Sequence, residues 1–241
     1  MPVWSEALGK GYRNVWNRAS IQLKEAGKLQ KVVRGILKDK ERYEAVQDAS
    51  NGVPWWWIAA VHQRESGRSF AGVLHNGERI IGTSKTTTKV PPGRGPFGSW
   101  NDAAVDALRL KKLDDIGSAE WTLERALYEW ERYNGFGYFG KINSPYVWAS
   151  TTVEQTGKFT RDHFFDPNHD DVQLGTASIL KALVEMDDEI ASGLGLGPKR
   201  ETVPQADMPD DMPRTVGELQ TALAAAMGVD EITIAATVKR A

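Results

Sequence analysis

The sequence predicts a mainly α-helical domain with one small β-hairpin inserted between helices and a flexible C-terminal tail. Three observations predict it. Apolar residues recur at helical spacing over most of the first 190 positions. One short stretch, Val73–Ile81, carries an Asn-Gly turn signal between β-type runs. Beyond Gly195 the composition shifts to Gly and Pro, with Gly197, Pro198, Pro204, Pro209 and Pro213 in quick succession. The expected division is a domain over 1–194 and a linker with a short helical end over 195–241.

The elements follow in order. Ser5 to Asp48 reads as two helices, with Tyr12, Val15, Trp16 and Ile21 on one apolar stripe and Val32, Val33, Ile36 and Leu37 on the next. Asn51-Gly52 marks a break, and Pro54 suits the first turn of a helix because its missing N–H costs nothing there. The helix that follows, through Glu65, is apolar on almost every side in its first half and should be central and buried. Its last turn is polar, and Ser66-Gly67 ends it. Thr83 to Gly98 is expected as a loop. Ser99 caps a helix to about Leu110, and Ser118 caps another to about Tyr133. Asn134 to Pro167 is too long and too rich in Gly and aromatics for a plain connector, which marks it as a functional loop region. Asp170 to Ser192 reads as the last helix of the domain, and Thr215 to Met227 as a short helix in the tail.

Composition excludes several classes. There is no cysteine, so disulfides and thiolate metal sites are ruled out. A formal net charge of -2 does not describe a nucleic-acid binder. No apolar run reaches membrane-spanning length, so no stable membrane insertion is expected. The opening Met-Pro-Val-Trp-Ser-Glu lacks the basic-then-apolar pattern of a signal peptide. The run from Asp162 to Asp171 holds acids and histidines, but its spacing matches no standard ligand set, so neither a metal nor another cofactor is expected. A monomer is expected. Of the nine tryptophans, the consecutive Trp55, Trp56 and Trp57 leave a helix in different directions, two to the core and at most one to a groove.

Glu65 is the candidate catalytic residue. Cleaving a glycosidic bond requires a protonated carboxylic acid beside the bridging oxygen. A carboxyl keeps its proton near neutrality only where burial penalises its anion. Glu65 closes the most apolar helix in the chain, where a packed core gives way to polar sequence.

The segment Ile58-Ala-Ala-Val-His-Gln-Arg-Glu65-Ser66-Gly67 resembles the helix-then-Glu-Ser signature of goose-type lysozymes and lytic transglycosylases. Tyr133-Asn134-Gly135-Phe136-Gly137-Tyr138 is similar to their second motif, at a helix end lining the substrate groove. Leu74 to Glu78, Ser144 to Trp148 and Phe165-Asp166-Pro167 resemble stretches of phage and bacterial lysozyme-like proteins. The resemblance implies a lysozyme-like α+β domain, peptidoglycan glycan strands as the partner, and Glu65 as general acid. It implies a phage-type endolysin or related muramidase, made in the bacterial host cytoplasm and acting on the wall. Ser66, Tyr133, Asn134 and Tyr138 would shape the sugar sites, with His75, Asn76 and Tyr146 as further substrate-binding candidates.

A hydrolase also needs a second carboxylate, for which Glu78, on the expected hairpin, is preferred over Asp102 and Asp106. A lytic transglycosylase does not, because the sugar's own 6-hydroxyl attacks. Both enzymes stay open at this point, as does a non-catalytic wall-binding or phage structural protein on the same scaffold.

Overall fold

The computed structural model describes residues 1–161 and 164–197. The linker and the tail helix expected beyond Gly197 lie outside the described residues. Met1–Gly197 is one compact unit, mainly helical with a small two-stranded antiparallel sheet.

The N-terminal segment folds as three helices rather than two: α1 (Glu6–Arg18), α2 (Ala26–Lys38) and α3 (Lys40–Ala49). Ser5 caps α1 by accepting the Leu8 N–H at 3.3 Å. The chain turns at Asp39, between two helices whose stripes face the same core, so their joined periodicity reads as one run. Asn51 and Gly52, both at positive φ, then reverse it, and Pro54 stands one place ahead of the helix, as the N-cap of α4 (Trp55–Ser66).

α4 is the axis of the molecule. Every residue from Trp55 to His62 is buried. All three consecutive indoles enter the core, so none is spared for a groove. Trp57 stacks on Trp130 with ring centres 6.0 Å apart and lies 5.5 Å from Trp121. Gly67, at φ 59°, terminates the helix in the left-handed conformation that favours glycine.

His62, one turn before Glu65, pins α4 to its neighbours. Its Nδ1 lies 3.0 Å from the Tyr43 hydroxyl, and its ring packs on Trp100 and Phe70 at 4.5 and 4.7 Å. Burial holds it neutral, lowering its pKa from 6.5 to about 4. The unfolded chain therefore binds a proton in that window and the folded chain does not. His62 contributes fully above pH 6.5, and its contribution falls as pH drops toward 4. The stability advantage of wild type over His62→Phe should shrink by about 3 kcal/mol between pH 7 and pH 4, read from urea unfolding. A pH-independent difference would contradict this account.

The expected hairpin at Val73–Ile81 is corrected: the segment contains no strand. Val73 N–H bonds the Glu78 carbonyl at 2.9 Å and Gly77 N–H the Val73 carbonyl at 2.9 Å, which closes a tight loop and not a ladder. Burial explains it. Gly72, Val73 and Leu74 are buried in succession, so the alternation a one-faced strand needs is missing. The loop is pressed against the end of α4, where a Cβ on Gly77 would come within 2.0 Å of the Glu65 carbonyl oxygen.

α5 (Trp100–Leu110) is capped by Ser99 as expected. Ser118 begins only a 3₁₀ turn, and α6 (Leu123–Asn134) starts later, capped by Thr122. The region after it holds a short helix, α7 (Pro145–Trp148), and the sheet: β1 (Lys158–Arg161) pairs with β2 (Phe164–Asp166). The last expected helix is two, α8 (Thr176–Val184) and α9 (Asp188–Gly193). Asp170–Gly175 stays non-helical, and Asp187 caps α9 through the Glu189 and Ile190 N–H groups. No helix among the described residues is long and apolar enough to cross a membrane.

Candidate active site

The C-terminal end of α4, the C-terminal end of α6, α7, β1 and the Asp171–Gln173 segment converge on an open cleft of about 500 Å³. Glu65 lies in its wall, half-buried. The Tyr146 hydroxyl donates to Glu65 Oε1 at 2.9 Å. Burial dominates the carboxyl and pushes its pKa from 4.5 up to about 7; the Tyr146 hydrogen bond and the charges of Arg64 and Lys111 pull the other way and only partly offset it. Glu65 is therefore largely protonated on the acid side of neutrality, as a proton donor must be.

The tyrosines that frame it are held from behind. Tyr133 is buried, donates to the Leu74 carbonyl at 2.8 Å and packs edge-on against Trp57 at 5.7 Å. Burial and the neighbouring Glu65 charge both raise its pKa well above 10. Lys111 donates to the Tyr133 carbonyl at 3.1 Å with its ammonium over the same ring. Tyr138 lines the cleft, and its hydroxyl accepts the Phe159 N–H at 3.0 Å, fastening the post-α6 loop to β1.

Opposite in character to Glu65 is Asp171, whose side chain is 1% exposed. It accepts from Arg64 Nη2 at 2.8 Å, Lys158 Nζ at 3.0 Å and the Gln173 N–H at 3.0 Å. Against the cost of burial, these partners, Arg64 first, hold its pKa below the usual carboxylate range. The Gln173 amide donates back to the Arg64 carbonyl at 2.9 Å. Arg64 itself lies over the Tyr146 ring at 4.7 Å. One cleft thus holds two carboxyls in unlike environments, one kept neutral by burial and the other kept ionised by partners, the pattern that separates acid and base roles.

Of the residues singled out in the sequence, Glu65, Asn134, Tyr138 and Tyr146 line the cleft, and buried Tyr133 supports it from behind. The others are placed elsewhere. The Ser66 hydroxyl donates to the His62 and Ser69 carbonyls and finishes the helix end. His75, with a side chain 1% exposed, bonds Asp106 at 2.8 Å, and Arg94 pairs with the same carboxylate. Asp102 caps α5 with Ser99. Asn76 braces its own loop by donating to Glu78 Oε2 at 3.0 Å.

Glu78 is not brought to the cleft. It accepts from the Thr88 hydroxyl and from the Thr88 and Lys89 N–H groups, which hold the Thr83–Gly98 loop closed. Those bonds, the Thr88 hydroxyl foremost, hold its pKa down to about 2. A carboxylate so engaged, away from the cleft, is a structural staple. Asp171, Arg64, Lys158, Phe159 and Gln173 are the cleft residues that sequence reasoning passed over. Among the described residues no cluster of three or more His, Asp or Glu is arranged to hold a metal ion.

Tyr146→Phe removes the hydrogen bond that favours the Glu65 anion, so the Glu65 pKa should rise further. In a titration followed by NMR of the labelled carboxyl, its midpoint should move to higher pH than in wild type, and the fold should lose about 1 kcal/mol. An unmoved or lower midpoint would show that the contact does not bear on the proton.

No protein-family model, curated protein or solved structure matches this chain.

Proposed function

We propose that this protein is a lysozyme-like enzyme that cleaves the glycan strands of peptidoglycan between N-acetylmuramic acid and N-acetylglucosamine, with Glu65 as the general acid. The observation that carries the reading is a half-buried carboxyl, raised to about pKa 7, in the wall of an open cleft. Glycoside cleavage demands a proton donor of this kind beside the bridging oxygen. The surroundings suit a carbohydrate. Half-buried Phe159 offers an aromatic face beside the buried Tyr138 and Tyr146, and Asn134, Gln173 and Lys158 offer polar groups. Glu65 of the first motif and Asn134, Gly135, Gly137 and Tyr138 of the second line this cleft together, which supports the reading.

In the proposed step Glu65 gives its proton to the bridging oxygen as the bond to the muramic acid anomeric carbon breaks. Positive charge develops on that sugar, and Glu65, now anionic, faces it. In hydrolysis, water adds to the anomeric carbon and its proton returns to Glu65.

A second reading, a lytic transglycosylase, has an observation in its favour. Asp171, the other carboxylate of the cleft, has both oxygens engaged by Arg64, Lys158 and Gln173 and is poorly free to activate water. Intramolecular attack by the sugar's 6-hydroxyl needs no such base. Digestion of purified sacculi, with mass spectrometry of the soluble fragments, tests both. Muramic acid ends carrying an added water support hydrolysis. Ends lighter by one water support the transglycosylase. Absence of any soluble glycan fragment would remove the enzymatic reading and leave a wall-binding protein.

A further inference from the structure

A second cavity, of about 230 Å³, opens between α1, the middle of α6 and the Phe139–Trp148 stretch. Its walls are apolar: Leu8, Val15, Phe139, Ile142 and Trp148. Into them are set polar groups that the glycan-cleaving reading does not use. Glu131, 5% exposed, has Oε2 occupied by the Tyr12 hydroxyl at 2.7 Å. Its Oε1 takes no hydrogen bond from the described residues, and no basic side chain acts on it; burial raises its pKa. Ser144, 1% exposed, stands at the N-cap position of α7 yet caps nothing, and its buried hydroxyl has no partner. Half-buried Asn143 donates one amide N–H to the Val153 carbonyl at 2.9 Å, and its Oδ1 takes no hydrogen bond from the described residues.

The inventory leans toward acceptors. A buried polar group is normally satisfied, so the orphaned Ser144 hydroxyl requires an explanation. Beside it the open positions are a carboxylate oxygen and an amide oxygen, which only accept, while the hydroxyl can accept or donate. The cavity's one phenolic donor, Tyr12, is already engaged. A ligand matching this lining must bring several N–H donors, a positive charge for Glu131 and an apolar body for the walls.

We propose that this cavity is a binding site for a small primary ammonium carrying a compact apolar group, its N–H donors directed at Glu131, Ser144 and Asn143. The site is separate from the Glu65 cleft and does not depend on that cleft's function.

Titration of the full chain with n-butylammonium chloride, followed by calorimetry and tryptophan fluorescence, tests it. Saturable binding in about the millimolar range is expected for a ligand of this size. 1-Butanol, which has the same chain and one donor, should bind at least tenfold more weakly, and so should tetramethylammonium, which has the charge and no N–H. Glu131→Gln should weaken n-butylammonium at least tenfold, and Ser144→Ala severalfold. Ser144→Ala keeps the test alive if Glu131→Gln fails to fold. Glu65→Gln should bind as wild type does. Absence of saturation, equal affinity for the alcohol, or affinity unchanged in both cavity variants would overturn the proposal. Loss of binding in Glu65→Gln alone would also overturn it, by moving the ammonium to the other cleft.

Discussion

On the proposed function, Glu65→Gln should lower glycan-strand cleavage about 10²–10⁴-fold, the span expected when a positioned general acid is removed. The amide matches the carboxyl in size and keeps an oxygen to accept from Tyr146, but it has no acidic proton to give. The fold should be unharmed or slightly stabilised. Folded Glu65 has its pKa raised to about 7, so from the unfolded value near 4.5 upward the folded state holds a proton the unfolded chain has lost. That difference disfavours folding increasingly between pH 4.5 and 7, and glutamine does not incur it. The wild-type rate should fall as pH rises through about 7, while the residual rate of Glu65→Gln should lack that limb. Turbidity clearing of stripped cells across pH 5 to 9, with thermal unfolding of both proteins, checks this. Wild-type lysis rates in the variant would take Glu65 out of the mechanism.

Local signals carried the sequence reading furthest. Ser99 and Gly67 cap their helices as read because capping is decided by a few neighbouring backbone groups. Glu65 was legible for a related reason. An unbroken apolar run before it already implies a buried helix, and the side chain at the run's end must meet the surface. The Val73–Ile81 hairpin failed because Asn-Gly specifies a turn and not the strands beside it. Contact with the end of α4 buried three successive residues and removed the alternation. The real strands, Lys158–Arg161 and Phe164–Asp166, carry no comparable turn signal. Asp171 was hidden by distance along the chain. Its partner Arg64 is 107 positions away, and no periodicity links a helix end to a loop so remote. The same holds for Glu78, whose role is set by backbone N–H groups ten and eleven residues on.

Asp171→Ala should cost about 3–5 kcal/mol of stability, the usual result of removing one member of a buried ion pair. The Arg64 guanidinium, 6% exposed, would keep the Leu174 carbonyl at 3.2 Å and the Tyr146 ring but no counter-charge among the contacts described. Lys158 would lose the contact that draws β1 toward the Asp171–Gln173 segment. Because the Asp171 pKa is depressed in the fold, its contribution is present above the unfolded carboxylate pKa and is lost as pH falls through the lower folded value. The gap between wild type and variant should therefore be widest near neutrality and narrow in acid. The site should respond as well. Arg64 already favours the Glu65 anion, and without Asp171 to offset it that influence grows, so the upper pH limit of activity should move down. Tyr146→Phe moves the Glu65 pKa the other way, and the two variants together bracket the proton at that carboxyl. The double replacement Arg64→Met with Asp171→Leu should recover much of the lost stability, because it strands no fully buried charge; Lys158, its side chain 25% exposed, can turn to water. Urea unfolding of Arg64→Met, Asp171→Leu and the double at pH 7 closes the cycle. An Asp171→Ala protein within about 1 kcal/mol of wild type would mean that water satisfies Arg64 as well as the carboxylate does, and that the cleft wall does not depend on this pair.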